Sequence, residues 1–158
     1  MGAQAARAAV AGLLIALALA CSSPSDTPQD RVRAVLAALE AGAQARDAGA
    51  MKEHVSETYA DPQGNDKRAI AGLVSFHLLR NRSVYLLTRV GDVTLAEPRR
   101  ARVEALVAMA GTPIPTAAEL AGVRADLYRF DLELREEGDG EWRVAAAEWR
   151  PATVADFQ

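Results

Sequence analysis

Between Asp126 and Glu136 the chain alternates without a break. Tyr128, Phe130, Leu132 and Leu134 fall on one side, and Arg129, Asp131, Glu133 and Arg135 on the other. Period two marks a strand with one face on a core and the other toward water. Gly138-Asp139-Gly140 supplies hairpin chemistry, and Trp142–Arg150 is the returning strand, which Pro151 ends. A hairpin of this kind needs something to cover its apolar side. Arg102–Met109 repeats the pattern, setting Val103, Ala105, Val107 and Met109 against Arg102 and Glu104. Ser83–Leu95 also reads as strand, interrupted near Gly91, with Pro98-Arg99-Arg100 turning the chain between them.

The cover comes from the N-terminal half. Thr27 is placed to cap a helix, Pro28 suits its first turn, and Asp30 complements the positive end of its dipole. Val32, Val35, Leu36 and Leu39 then follow at helical spacing, and the helix is expected to fray near Asp47–Gly49. A second short helix is expected over Met51–Tyr59. Asp61 and Asp66 take turn and cap roles before a third helix, Lys67–Arg80, with Ile70, Leu73, Val74 and His77 on one stripe. Gly111–Val123 is a long connection in which Thr116 and Glu119 resemble a capping box on a single helical turn. Helices first and antiparallel strands after is an α+β order.

The first 21 residues differ in kind. One positive charge, Arg7, precedes an uncharged apolar run, Ala8–Ala20, and then Cys21. That is the layout of a secretory leader. As a helix the run reaches about 20 Å, short of the roughly 30 Å of a bilayer's hydrocarbon, and no basic stop-transfer cluster follows. Met1-Gly2 does not lead to a myristoylation motif, because Ala6 stands where Ser or Thr is needed. Leu17-Ala18-Leu19-Ala20-Cys21 resembles the lipobox of bacterial prolipoproteins, with small Ala20 before the cysteine. The resemblance implies cleavage after Ala20, a lipid on Cys21, and Ser22–Asp26 as a short tether. Ser22 directly after the cysteine implies sorting to the outer membrane, on its periplasmic face, where the host has one.

About 138 of the 158 residues then remain for one domain. With Cys21 the single cysteine, no intrachain disulfide is possible, so the core must hold the fold alone. A net charge of −3 gives no electrostatic footprint for nucleic acid, and Arg99, Arg100 and Arg102 read as a solvated hairpin end.

The order of elements, with the closing hairpin Leu127-Tyr-Arg-Phe-Asp-Leu-Glu-Leu-Arg through Glu141-Trp-Arg-Val and Glu148-Trp149-Arg150, resembles the nuclear-transport-factor-2-like (NTF2-like) superfamily over roughly residues 28–150. The resemblance implies helices packed on a curved antiparallel sheet, often enclosing a cone-shaped cavity. Its members include ketosteroid isomerases, dehydratases, polyketide cyclases and many non-catalytic binding modules, so fold alone does not choose a function.

Strand parity locates candidates within such a cone. Asp131, Glu133 and Glu104 point outward, while in a regular final strand Trp142, Val144 and Ala146 point inward. Glu148 is then the one strand carboxylate given inward parity. His77, on the apolar stripe of the third helix, is the strongest candidate for a general base or ligand contact, because imidazole titrates near neutrality. The plainer reading makes His77 a core residue satisfied by backbone or by Tyr128. Tyr128 is a candidate ligand contact and equally a core aromatic. Arg89 is ambiguous, since Tyr85/Leu87/Arg89 and Val84/Leu86/Thr88 both serve as an inner face. The two histidines, His54 and His77, lack metal-ligand spacing, and no phosphate loop or nucleophile elbow is present, so neither metal nor cofactor is expected.

Trp142 and Trp149 are an odd interval apart, which sets them on opposite faces of a regular strand. A bulge within Ala145-Ala146-Ala147 returns Trp149 to the inner face and is the expected solution. The rival is an outer contact for Trp149, a homodimer face or partner site. The functional expectation is a lipid-anchored, non-enzymatic domain of the cell envelope that binds a small apolar ligand or an envelope partner. An isomerase or dehydratase using His77 and a structural envelope protein are the alternatives.

Overall fold

The computed structural model describes residues 26–158, so Cys21, the leader and most of the tether lie outside the described residues. Helix α1 spans Pro28–Gln44, α2 Ala48–Glu53 and α3 Lys67–Arg80. Five strands follow: β1 Tyr85–Val90, β2 Thr94–Glu97, β3 Arg100–Ala110, β4 Ala125–Glu136 and β5 Trp142–Pro151. Short 3-10 turns cover Ala117–Gly122 and Val154–Phe157. Among the described residues no helix is long and apolar enough to cross a membrane.

The helix starts follow from local chemistry. Thr27 Oγ1 accepts from Asp30 N at 3.1 Å, while the Asp30 carboxylate accepts from Thr27 N at 3.3 Å, a reciprocal cap. Asp66 caps α3 by accepting from Ala69 N at 2.8 Å. Asp61 holds the preceding turn, accepting from Asn65 N, Asn65 Nδ2 and the Tyr59 hydroxyl, each at 2.9 Å. Helix α1 stops at Gln44, and Arg46, in a left-handed conformation at φ 57°, sends its guanidinium back to α3. Its Nε donates to Leu78 O at 3.1 Å, satisfying a carbonyl of α3's last turn.

The second helix is displaced from its expected place: it covers Ala48–Glu53, not Met51–Tyr59. Residues 54–60 run instead along the free edge of β5, where Ser56 N donates to Val144 O and Val144 N to His54 O, both at 2.9 Å. An open edge offers unpaired backbone groups, and this segment takes them.

The antiparallel sheet is ordered β1-β3-β4-β5, with β2 pairing β3 beyond the break at Gly91. The break is a close approach: Gly91 N donates to Glu104 O at 2.9 Å, and a Cβ at Gly91 would sit 3.1 Å from that oxygen. On β5 the register slips, Glu133 facing Ala146 but Leu134 facing Val144, so Ala145 is the extra residue of a bulge. The expected bulge is therefore present. It corrects the regular-strand parity: Ala147 and Trp149 join the inner face, and Ala146 and Glu148 turn outward.

Two apolar clusters sandwich the sheet. On the inner face Val32, Val35 and Leu36 of α1 meet Ala101, Val103, Leu134, Trp142, Val144 and Ala147. On the outer face Leu106, Ala108 and Ala110 are covered by Ile114, Leu120 and Phe157, from the β3–β4 connection and the C-terminal turn. Arg129 pins that turn, donating to Asp156 and Glu104 at 2.6 Å each.

Candidate functional site on the inner face

The cross-strand register fixes what lines the inner face. From the hairpin end outward the rows are Ala101–Leu134–Val144, Val103–Leu132–Ala147, Val90–Ala105–Phe130–Trp149, Thr88–Val107–Tyr128–Pro151, and Leu86–Met109–Asp126. The first row is packed shut, and in the second only Leu132 is half-buried. In the later ones Leu86, Thr88, Val107, Met109, Tyr128, Phe130 and Trp149 are only half-buried. Tyr128, Phe130 and Trp149 form a continuous aromatic run, with ring centroids 6.2 and 6.3 Å apart.

Helix α3 stands over this end. Its expected stripe is partly corrected: Leu78 is buried and Ile70, Val74 and His77 are half-buried, but Leu73 is 48% exposed. Phe76 at 59% and Leu79 at 77% are also turned to solvent, and Tyr85, beginning β1, is 37% exposed. The helix thus buries one stripe and still presents three large apolar side chains to solvent.

His77 does reach the inner face, its Nε2 lying 3.1 Å from Met109 Sδ. Thioether sulfur is a weak acceptor, and no carboxylate bonds the ring among the described residues. Tyr128 is inward, as parity required, and its hydroxyl has no protein partner among the described residues. Thr88 Oγ1, in the same cross-strand row, is buried without a partner. The structure thus brings Tyr128 into an apolar wall with one further orphan hydroxyl and places His77 at its rim. Glu148 lies outside, facing Asp131 across the sheet, because the bulge reverses its parity. Arg89 resolves to the outer face, where Nη1 donates to Phe157 O. His54 ends α2 beside β5, and no metal-holding group of His, Cys, Asp or Glu occurs among the described residues.

Two inner-face acids escaped the parity reading: Glu136, opposite Trp142 and paired with Arg31 of α1, and Asp126. Asp126 shares its parity with Tyr128 and stands opposite Met109, the residue His77 touches. Counting back two residues from Tyr128 would have found it. It is exposed and makes no side-chain bond, so it does not orient the imidazole here.

Titration behaviour is perturbed away from this wall. Burial, together with its hydrogen bond to Asp61, pushes the Tyr59 hydroxyl well above the ordinary phenol range. At the β4–β5 turn the Arg143 guanidinium, with Glu141 N, holds Asp139 down to about 2. Two surface hollows lie away from His77 and Tyr128. One, of about 460 Å³, crosses the outer face and is lined by Arg102, Glu104, Asp131, Glu133 and Glu148 among others. The second, of about 350 Å³, lies between the hairpin ends.

No protein-family model matches the sequence, nor does any curated protein sequence. Solved structures do match in shape. A ketosteroid isomerase-like protein from Erwinia carotovora atroseptica has a TM-score of 0.61 at 14% identity, covering 81% of this chain and 98% of that one. A protein of the NTF2-like family from Streptomyces avermitilis has a TM-score of 0.60 at 12% identity, covering 81% and 98%. The fold is NTF2-like. A domain of unknown function with a cystatin-like fold from Nostoc punctiforme also aligns, with a TM-score of 0.59, 14% identity and coverage of 78% and 76%. At such identities the NTF2-like likeness carries the architecture and leaves the chemistry to the residues of this chain.

Proposed function

We propose that this chain is a lipid-anchored protein of the cell envelope whose NTF2-like domain is a non-catalytic module for a small apolar ligand or an apolar partner. The observation that carries the reading is the half-covered aromatic run Tyr128–Phe130–Trp149 on the inner face. Apolar side chains left at the water boundary gain from a ligand that covers them, and unpartnered Tyr128 and Thr88 hydroxyls add a polar contact for orientation. Acid–base catalysis needs a base held by an orienting group, and His77 touches only a thioether.

The anchor is Cys21, and Ser22 after it favours the periplasmic face of an outer membrane. Protein purified from its own envelope and transferred intact to native mass spectrometry should retain an apolar molecule, and Phe130→Ala should reduce its occupancy. A bare protein with no added mass and no co-purifying partner would end the binding reading. Cys21→Ser should abolish labelling by a clickable fatty acid, and unchanged labelling would end the anchor reading alone.

A further inference from the structure

The second hollow lies at the opposite end of the sheet from the aromatic run, and its walls are basic. Glu97, Arg99, Arg100, Arg135, Glu136 and Gly138 line about 350 Å³ between the β2–β3 and β4–β5 hairpins. Cross-strand register puts Arg100 directly opposite Arg135, and Arg135 opposite Arg143. Like charges in such positions repel, so a row of arginines is costly unless anions meet it.

The anions present do not meet all of it. Glu136 is shared, with Oε1 3.2 Å from Arg31 and Oε2 3.7 Å from Arg99. Glu97 approaches Arg100 only at 3.8 Å. Arg143 is held by Glu137 at 2.9 Å and Asp139 at 2.7 Å. Arg135 pairs with no carboxylate among the described residues: its one bond is a 3.5 Å contact to Thr58 Oγ1, and its Nε is buried without an acceptor. A half-buried guanidinium with donors to spare is suited to the oxygens of a phosphate.

The location selects the source of that phosphate. Arg31, which shares Glu136 with the rim, also pairs at 3.6 Å with Asp26, the first described residue. Cys21 stands five positions earlier in the sequence, within about 18 Å of fully extended chain. The hollow is therefore at the end of the domain where an anchor at Cys21 would bring it to the bilayer surface.

We infer that Arg135, with Arg100 and Arg99, forms a site for the phosphate of an anionic lipid headgroup, docking the hairpin end on the membrane. The orientation follows from the anchor reading of Cys21, whereas the anion site itself does not depend on acylation. With that end down, the aromatic run faces away from the bilayer.

The test is partition of the full chain between buffer and vesicles, either pure phosphatidylcholine or phosphatidylcholine mixed with phosphatidylglycerol. The apolar leader contributes to both, so the readout is the ratio of the two partition constants. Arg135→Gln should lower that ratio about fivefold, and the double variant with Arg100→Gln further, at low salt. Arg124→Gln removes the same charge from an exposed position with no bonding partner among the described residues and should leave the ratio close to unchanged. An equal loss for Arg124→Gln and Arg135→Gln would show diffuse attraction and overturn the site. So would an Arg135→Gln ratio equal to that of the wild type. Inorganic phosphate whose phosphorus resonance broadens with the wild type and not with Arg135→Gln, without any vesicle preference, would overturn the lipid source. Fatty-acid labelling of Cys21 is read separately, so failure of the anchor and failure of this site are distinguishable.

Discussion

At the hairpin end of the inner face Ala101 and Leu134 are wholly excluded from solvent and Trp142 is 2% exposed, while farther along the same strands Val107, Tyr128 and Phe130 are only half-buried. Strand pattern does not distinguish the two ends, since both alternate equally well. The difference comes from the covering helices. Helix α1 presses Val32, Val35 and Leu36 onto the hairpin end, and Val32 is fully buried there. Helix α3 reaches the far end through His77, which touches Met109, and leaves Leu73, Phe76 and Leu79 exposed. One end is a core and the other is a wall awaiting a cover.

The strongest way to break this contrast is to impose by substitution the parity that the bulge avoids, exchanging two residues as Glu148→Trp with Trp149→Glu. A carboxylate then stands beside Phe130 and an indole on the outer face. Setting an unpaired carboxylate against apolar rings and losing an indole contact should cost about 4 kcal/mol or more. Chemical denaturation of the purified protein should show a chain largely unfolded in buffer. A cooperative transition near that of the wild type would mean that the inward place the bulge gives Trp149 does not hold the inner face.

Next in size is the direct comparison of the two ends. Leu134→Ala, at a fully buried site, should cost about 2–5 kcal/mol. Phe130→Ala removes a larger side chain but a half-buried one, and should cost about 1–2 kcal/mol. Equal losses in the two denaturation curves would show the far end to be as full a core as the near one. Adding the retained ligand should widen the Phe130 loss and leave that of Leu134 unchanged.

The sequence was informative where a pattern has one physical solution. Alternation in β4 gave its span to within a residue, and Asp66 with Lys67–Arg80 gave α3 outright. The odd spacing of Trp142 and Trp149 called for a bulge, and Ala145 supplies it. Other features depended on tertiary partners that no local pattern announces. Residues 54–60 have enough apolar character for a helix, but the open edge of β5 draws them into extended pairing. The closing turn Val154–Phe157 is set by Arg129 reaching Asp156, a contact between residues far apart in sequence. At the site, parity placed Tyr128 correctly and left His77 uncertain, because α3 carries apolar residues on more than one face.

A smaller effect concerns acid at the closed end. Arg143 and the Glu141 amide hold Asp139 at about 2 in the fold, against an ordinary value of 3.8. A depressed carboxylate contributes stability that is fully present above its ordinary value and is lost as pH falls toward its folded value. Asp139→Asn should therefore flatten the wild type's loss of stability between about pH 4 and pH 2. The exposed position of Asp139 keeps the change modest. An unchanged slope would show that Glu137 alone holds Arg143.

The smallest expected effect is the one that decides whether the far end does chemistry. His77 Nε2 contacts a thioether, and its backbone carbonyl, not its ring, accepts from Asn81 Nδ2 at 2.8 Å. His77→Gln keeps a polar donor of similar reach and should change stability by no more than about 0.5 kcal/mol. His77→Ala loses packing against Met109 as well and should cost about 1 kcal/mol, with ligand retention little changed. A base would behave differently. It would tolerate neither substitution, and the loss would appear in turnover with stability intact. Such a base would also need a carboxylate, and Asp126, opposite Met109, is the inner-face acid nearest to that role in register. Turnover of a steroid-like or hydroxylated aromatic substrate that vanished in both His77→Gln and Asp126→Asn, each folded as well as the wild type, would turn the wall into an active site. Loss confined to His77→Ala and tracking its stability would leave His77 as a packing residue at the rim of a binding surface.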